Sequence, residues 1–272
     1  MIQPKENLFY FPQSNLQPLA FRMRPQKLED VVGQPHLTAE NGILYRIIQT
    51  GTLPSMIFWG PPGSGKTSTA LLITEQCGYQ MISISAVASG VKDIKESVHL
   101  AEKNLADSKK TVFFIDEIHR FHKGQQSVLL PYVESGIVVL IGSTTENPSF
   151  EVIGPLLSRT QVIVFNKISN SDLVLLLKKA IESEKGLNIP HLKVEEGVLE
   201  RIAELADGDA RQALNLIEIV VNISQKQNLP LTVQMVSDIL QKQSFLYDKS
   251  GEEHYNMLSA FHKSLRGSDP AR

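Results

Sequence analysis

The sequence predicts an α/β fold: a parallel five-stranded sheet between helices, followed by a small all-α bundle. Three observations predict it. Short β-branched and aromatic runs alternate with helical patterns from Met56 to about Lys167, and a glycine-rich turn joins the first run directly to the first of those helices. Beyond Lys167 only the helical period remains. Strands alternating with helices build parallel sheets covered on both faces, and helical patterns without strands build bundles.

Met1 to Gln17 is polar, with prolines and scattered aromatics, and reads as a flexible N-terminal arm, residues 1–18, of little functional content. From Pro35 to Thr50 the positions Leu37, Ile43, Leu44, Ile47 and Ile48 predict a helix leading to the first strand. Strands are expected at Met56 to Trp59, Met81 to Ile84, Thr111 to Ile115, Val138 to Gly142 and Val162 to Phe165, with helices at Thr67 to Cys77, Lys92 to Asp107 and Gln125 to Glu134 between them. This α/β domain spans residues 19–168. A helical domain, residues 169–245, follows, with amphipathic helices at Asp172 to Glu184, Glu195 to Ala206, Ala210 to Gln225 and Thr232 to Gln241. Ser171 or Asp172, Asp209 and Thr232 stand near their starts as caps, Asn188-Ile189-Pro190 forms a loop, and Gly208 separates two helices. A last helix, about Glu252 to Leu265, opens a region 246–272 that reads as cut from something longer.

The 272 residues allow one or two domains with a sizeable core, and 42% hydrophobic with 21% charged residues is ordinary for a globular chain. A net charge of −2 gives no global attraction to nucleic acid, so any such binding needs a local patch or an assembly. The single cysteine, Cys77, has no internal partner and suits a reducing cytosol. No apolar run approaches the ~18 residues of a membrane span, and no secretory leader opens the chain, which reads as cytoplasmic.

Gly60-Pro61-Pro62-Gly63-Ser64-Gly65-Lys66-Thr67 follows the run Met56-Ile57-Phe58-Trp59 and opens a helical pattern. Glycines let such a loop curl with its N–H groups inward, the lysine reaches terminal phosphates, and the threonine hydroxyl ligates Mg²⁺ at the positive end of a helix dipole. Ser68 continues that first turn. The loop predicts ATP and Mg²⁺ as ligands. The buried-strand pattern Thr111 to Ile115 then ends at Asp116-Glu117, an acidic pair that suits a metal site. Asp116 would hold Mg²⁺ through its water shell, and Glu117 would polarise the water that attacks the γ-phosphate. Alone, carboxylates at a strand end are as often solvated caps; beside a phosphate loop, two strand ends of one parallel sheet meet at one crevice.

Phosphate loop, acidic strand end and trailing bundle together resemble the P-loop AAA+ ATPases, in which an α/β module carries a helical lid. Arg22 to Gln34 is similar to the segment before the nucleotide pocket in clamp loaders and Holliday-junction motors, where Val31 and Val32 would line the adenine. Ser85 to Ile94 and Asp116 to Gln126 resemble more closely the replication-associated recombination protein A family, known in eukaryotes as the Werner-interacting ATPase, over about Leu19 to Asp269. That resemblance implies a polar sensor at Thr145, with Thr144 beside it, an arginine at Arg159 inserted into a neighbouring subunit's site, and a second sensor at Arg211 on the first turn of a lid helix. It gives Ser85 a weaker part, turning Glu117 away until DNA binds. By geometry alone, Ser143 to Pro148 is good turn chemistry and the two arginines are ordinary helix-end cations.

The implied activity is a DNA-dependent ATPase that remodels DNA or protein–DNA complexes at stalled replication forks. Its partners would be single-stranded or forked DNA with little sequence preference, copies of itself in a homo-oligomer, and possible replisome components such as single-strand-binding protein, with no membrane and with association to the nucleoid. His119-Arg120-Phe121-His122-Lys123 and the Arg22, Arg24 and Lys27 group are the basic clusters a nucleic acid would meet, or else ordinary solvated cations. Family members continue into a helical domain that holds the oligomer together, so weak hydrolysis is expected of these residues alone. Two alternatives stay open. A clamp-loader-type subunit would use the same motifs as an ATP-gated binding module, and a small-molecule P-loop kinase would deliver phosphate to an acceptor.

Overall fold

The computed structural model describes residues 17–87, 89–227 and 229–239. Its strands are β1 (Met56–Trp59), β2 (Gln80–Ser85), β3 (Thr111–Asp116), β4 (Val139–Thr144) and β5 (Gln161–Val164). All neighbours pair in parallel, in the order β2-β3-β4-β1-β5. The helices are α1 (Leu19–Arg22), α2 (Pro35–Thr38), α3 (Ile43–Thr50), α4 (Lys66–Gln76), α5 (Val91–Ala106), α6 (Lys123–Glu134), α7 (Pro148–Glu151), α8 (Gly154–Leu157), α9 (Asn170–Glu182), α10 (Val198–Ala206) and α11 (Ala210–Gln227). The α/β sheet with a helical bundle behind it is the predicted fold class.

Two apolar layers sandwich the sheet. On one face Phe58, Ile73, Phe114 and Ile141 pack with Leu44 and Ile47 of α3, and Phe58 meets Phe165 at a ring separation of 5.0 Å. On the other face Ile57, Phe113, Ile115 and Leu140 pack with Ile94 and Val98 of α5 and Leu129 of α6. Burial on both faces is why these runs are apolar throughout instead of alternating. A third core, built on Leu173, Leu177, Ile202, Ile217 and Val220, fills the bundle.

Several boundaries differ from the sequence reading. The expected helix Pro35 to Thr50 is broken into α2 and α3: the backbone turns extended at Ala39 and again at Gly42, where only the missing side chain lets the Leu37 carbonyl approach as closely as it does. β4 begins one residue later than expected and runs on to Thr144, carrying Ser143 and Thr144 inside the ladder. The cap of α9 is Ser169, whose hydroxyl accepts from the Asp172 amide at 3.1 Å, ahead of Ser171 and Asp172. The bundle also holds an isolated parallel bridge, Val194 with Leu231, where only helices were expected. Residues 233–239 are helical with the Thr232 hydroxyl accepting from the Met235 amide at 3.2 Å. The expected helix Glu252 to Leu265 and nearly all of the N-terminal arm lie outside the described residues. Among the described residues no helix is long and apolar enough to cross a membrane.

The segment before α2 ties sheet to bundle. Leu19 is buried in the bundle core and its amide donates to Glu218 on α11, while Asp30 accepts from Lys179 on α9 at 2.6 Å. Gln34, fully buried, donates to the Asn166 carbonyl and accepts from its amide at 2.7 and 2.9 Å, pinning the same segment to the exit of β5.

Candidate functional site

The turn after β1 is shaped by left-handed glycines at Gly63 (φ 64°) and Gly65 (φ 97°), and α4 starts at Lys66. Its first amides are therefore unpaired helix N–H groups aimed at the turn, the arrangement that binds anions. Lys66 is only 8% exposed and its ammonium donates to the Gly60 and Pro61 carbonyls at 2.7 Å each. Burial lowers its pKa; Glu117, Asp116 and Asp209 pull it back up, and Arg211 adds to the lowering. A buried cation with neutral partners is costly unless an anion joins it.

Close contact explains two of the glycines. A side chain at Gly60 would meet the Phe165 carbonyl oxygen at 2.3 Å, and one at Gly63 would meet Oδ1 of Asp209 at 1.9 Å. Asp209 precedes α11 and accepts from the Gln212 amide at 2.9 Å, while the Ala210 amide donates to the Gly63 carbonyl at 3.2 Å. The bundle thus rests directly on the turn.

Between them lies a cavity of about 570 Å³, within the usual range for a ligand site. Pro62, Gly63, Ser64, Gly65, Lys66, Thr67 and Ser68 form its floor, Val31 and Val32 stand on one wall, and Asp116, Glu117 and Thr145 close another. Arg211 reaches it from α11. Gly60 and Pro61, expected in the nucleotide site, do not line the cavity; their carbonyls hold Lys66 instead. Arg159 is elsewhere: at the end of α8, half exposed, it pairs with Glu134 of α6 at 2.5 Å. Ser85 ends β2 in register with Asp116, and its carbonyl accepts from the Ser89 amide.

Four further residues complete the site. Arg24 shares the cavity wall and lies over the Phe21 ring at 4.3 Å; burial lowers its pKa and the nearby Arg211 lowers it further. Ser143 donates to Oδ1 of Asp116 at 2.5 Å. His119 reaches Glu117 with Nε2, 3.2 Å from Oε2, and Thr144 with Nδ1, 2.9 Å from the hydroxyl. Asp209 is the fourth. Arg24 stood in a basic cluster visible in the sequence, and Ser143 in the polar end of β4; the groups that draw them into the site, Arg211 and Asp116, lie far away in the chain. Glu117 itself sits at φ 55°, an uncommon conformation for a residue without a special backbone and one that clusters at functional sites.

The motif segment Ser85 to Gly90 is joined to the start of α6 by Gln125, which donates to the Ser89 carbonyl at 3.0 Å. Arg120, His122 and Lys123 are exposed beside it.

Residues 56–168 match the family described as ATPase family associated with various cellular activities (AAA), and residues 188–266 match the AAA C-terminal domain. Replication-associated recombination protein A of Coxiella burnetii is 46% identical over 93% of this chain and 58% of its own length. The protein of that name from Escherichia coli K12 is 40% identical over 96% of this chain and 59% of its own length. The chain thus spans somewhat over half the length of these relatives. Among solved structures, the Thermotoga maritima RuvB Holliday junction branch migration motor aligns with a TM-score of 0.65 at 23% identity, over 81% of this chain and 72% of that one, a likeness of fold.

Proposed function

This chain belongs to the AAA ATPases, among the relatives of replication-associated recombination protein A, and from that premise we propose that it hydrolyses ATP in response to DNA and remodels DNA or protein–DNA complexes at stalled replication forks. One observation carries the reading: a single cavity gathers a buried lysine at a helix N-terminus, two carboxylates at a neighbouring strand end and an arginine from the bundle.

Triphosphate oxygens would take the unpaired amides of Gly63 to Ser68 and the Lys66 ammonium, whose carbonyl partners they would replace or share. Val31 and Val32 would flank the adenine, and Arg211 would reach the γ-phosphate from above. The donors for a cation are the Thr67 hydroxyl and the Asp116 carboxylate, hard oxygens, and among the described residues no cluster of three or more His, Cys, Asp or Glu forms a cage. That set fits Mg²⁺, which binds through one or two carboxylates plus substrate phosphates. When bound, Mg²⁺ supplies neutralisation of the charge on the departing phosphates.

Glu117 accepts a proton from the attacking water as the bond from the γ-phosphorus to its bridging oxygen breaks, leaving ADP and phosphate. Thr145 orients that water. Loss of the γ-phosphate frees Arg211, and the bundle lifts from the turn, pulling on the segment before α2 through Leu19 and Asp30. Arg159 acts across a subunit boundary in a homo-oligomer, and the exposed Arg120, His122 and Lys123 meet DNA phosphates. Single-strand-binding protein or other replisome components are further partners of this reading, in a cytoplasmic, nucleoid-associated setting.

The test is ATP turnover with single-stranded, duplex and forked DNA at several salt concentrations, with Glu117→Gln and Arg159→Ala alongside. DNA should stimulate turnover, the stimulation should fall with salt, and both substitutions should abolish it while nucleotide still binds. Indifference to every DNA would refute the role at forks. Phosphate transferred to an acceptor other than water would refute hydrolysis.

A further inference from the structure

Glu117 is poorly held by its own backbone environment. It has three rotatable bonds, its side chain is 34% exposed, and it sits on a left-handed residue where β3 ends. A general base must keep one oxygen on the water within about 2.6–3.2 Å. Something has to hold the other.

His119 is placed to do so. Its side chain is 14% exposed, and the two ring nitrogens face two different elements: Nε2 lies 3.2 Å from Oε2 of Glu117, and Nδ1 lies 2.9 Å from the Thr144 hydroxyl. An ionised carboxylate only accepts hydrogen bonds, so Nε2 carries the proton and donates to it. In the neutral ring Nδ1 then accepts from the Thr144 hydroxyl at 2.9 Å, a shorter path for that proton than the Glu146 carbonyl at 3.3 Å, while the Glu146 amide donates to the same oxygen at 3.0 Å. Thr144 is fully buried at the end of β4, and the next residue, Thr145, stands on the cavity wall.

We infer that His119 is a positioning residue for ATP hydrolysis, tying the Glu117 carboxylate to the end of β4 so that a shift of Thr145 against the γ-phosphate is passed through Thr144 and the imidazole to the base. This rests on the ATPase reading. His119 takes no proton in the reaction; it fixes Oε2 of Glu117 and leaves Oε1 for water.

The test separates the two ring nitrogens. In His119→Gln the amide nitrogen stands near the place of Nε2 and keeps a donor for Glu117; in His119→Asn the shorter amide turns its oxygen to the place of Nδ1, accepts from Thr144 and leaves Glu117 without a donor. Turnover should fall roughly tenfold or more in His119→Asn and His119→Ala, as for other residues that orient a reacting group, and much less in His119→Gln, with KM for ATP nearly unchanged in all three. Asparagine equal to glutamine, alanine equal to wild type, or a loss carried by KM would each overturn the inference. Imidazole nitrogen NMR gives a readout that needs no turnover: wild-type protein should show the His119 ring protonated on Nε2, with that resonance shifting in Glu117→Gln. A ring protonated on Nδ1 and not on Nε2 overturns the inference. An Nε2 proton in a wild-type protein that hydrolyses no ATP overturns the ATPase reading and with it the catalytic use of this contact.

Discussion

Gly63→Ala tests whether the bundle closes on the phosphate loop. Two costs arise. The residue holds φ 64°, where an L side chain costs about 1–2 kcal/mol. The new methyl also lands 1.9, 2.1 and 2.7 Å from Oδ1, Cγ and Cα of Asp209, and ordinary contact begins only at 3.4 Å. The cheapest relief is retreat of α11 from the turn, which breaks the Ala210–Gly63 hydrogen bond and withdraws Arg211 from the cavity. The strain cost alone should lower Tm by roughly 2–8 °C at about 2–4 °C per kcal/mol. Losing one charge-assisted contact to phosphate is worth about 1.5–3 kcal/mol, so ATP affinity should fall about 10- to 150-fold. Thermal melting and calorimetric titration with ATP and Mg²⁺ measure the two separately. Adding Asp209→Ala removes two of the three clashing atoms and should restore part of the affinity. A folded Gly63→Ala protein that binds ATP like wild type would refute closure of the bundle onto the loop.

Lys66 has a lowered folded pKa, so in the window just below the ordinary 10.5 the unfolded chain binds more protons than the native one, and stability should rise with pH there. Subtracting the pH dependence of Lys66→Met melting from that of wild type isolates this contribution, and a difference of opposite sign would contradict it. Arg159→Ala breaks a half-exposed pair with Glu134, worth about 0–1 kcal/mol, so Tm should barely move while turnover in the assembled protein falls roughly 10³-fold or more. Ser143→Ala leaves Oδ1 of Asp116 without its hydroxyl donor, and the Mg²⁺ concentration for half-maximal turnover should rise roughly 10-fold or more.

The fold class and the chemical core of the cavity were legible because their signals are contiguous. Eight consecutive residues shape the phosphate loop, and Asp116-Glu117 follows an unbroken apolar run. The polar positions of β2 and β5 mark them as the exposed edge strands, but the order of the strands between them was not legible, since parallel crossovers leave no local mark of which neighbour is joined. The contacts of Ser143 with Asp116 and His119 with Thr144 span 27 and 25 residues, so neither is visible as a motif. Thr144 and Thr145 looked alike in sequence; the pleat separates them, burying Thr144 and leaving Thr145 on the wall. Gly42 was read through as part of a periodic helix; the folded chain uses its missing side chain to bring the Leu37 carbonyl against the backbone between α2 and α3, a contact far too local in space to leave a periodic signal.

Calorimetric titration of ATP in Mg²⁺ into wild-type and Lys66→Ala protein tests the central claim most directly. The account predicts one ATP per wild-type chain and affinity reduced roughly 10- to 150-fold without the ammonium, the equivalent of one charge-assisted phosphate contact. Wild-type protein that takes up no ATP, or a Lys66→Ala protein that binds it equally well, would contradict it.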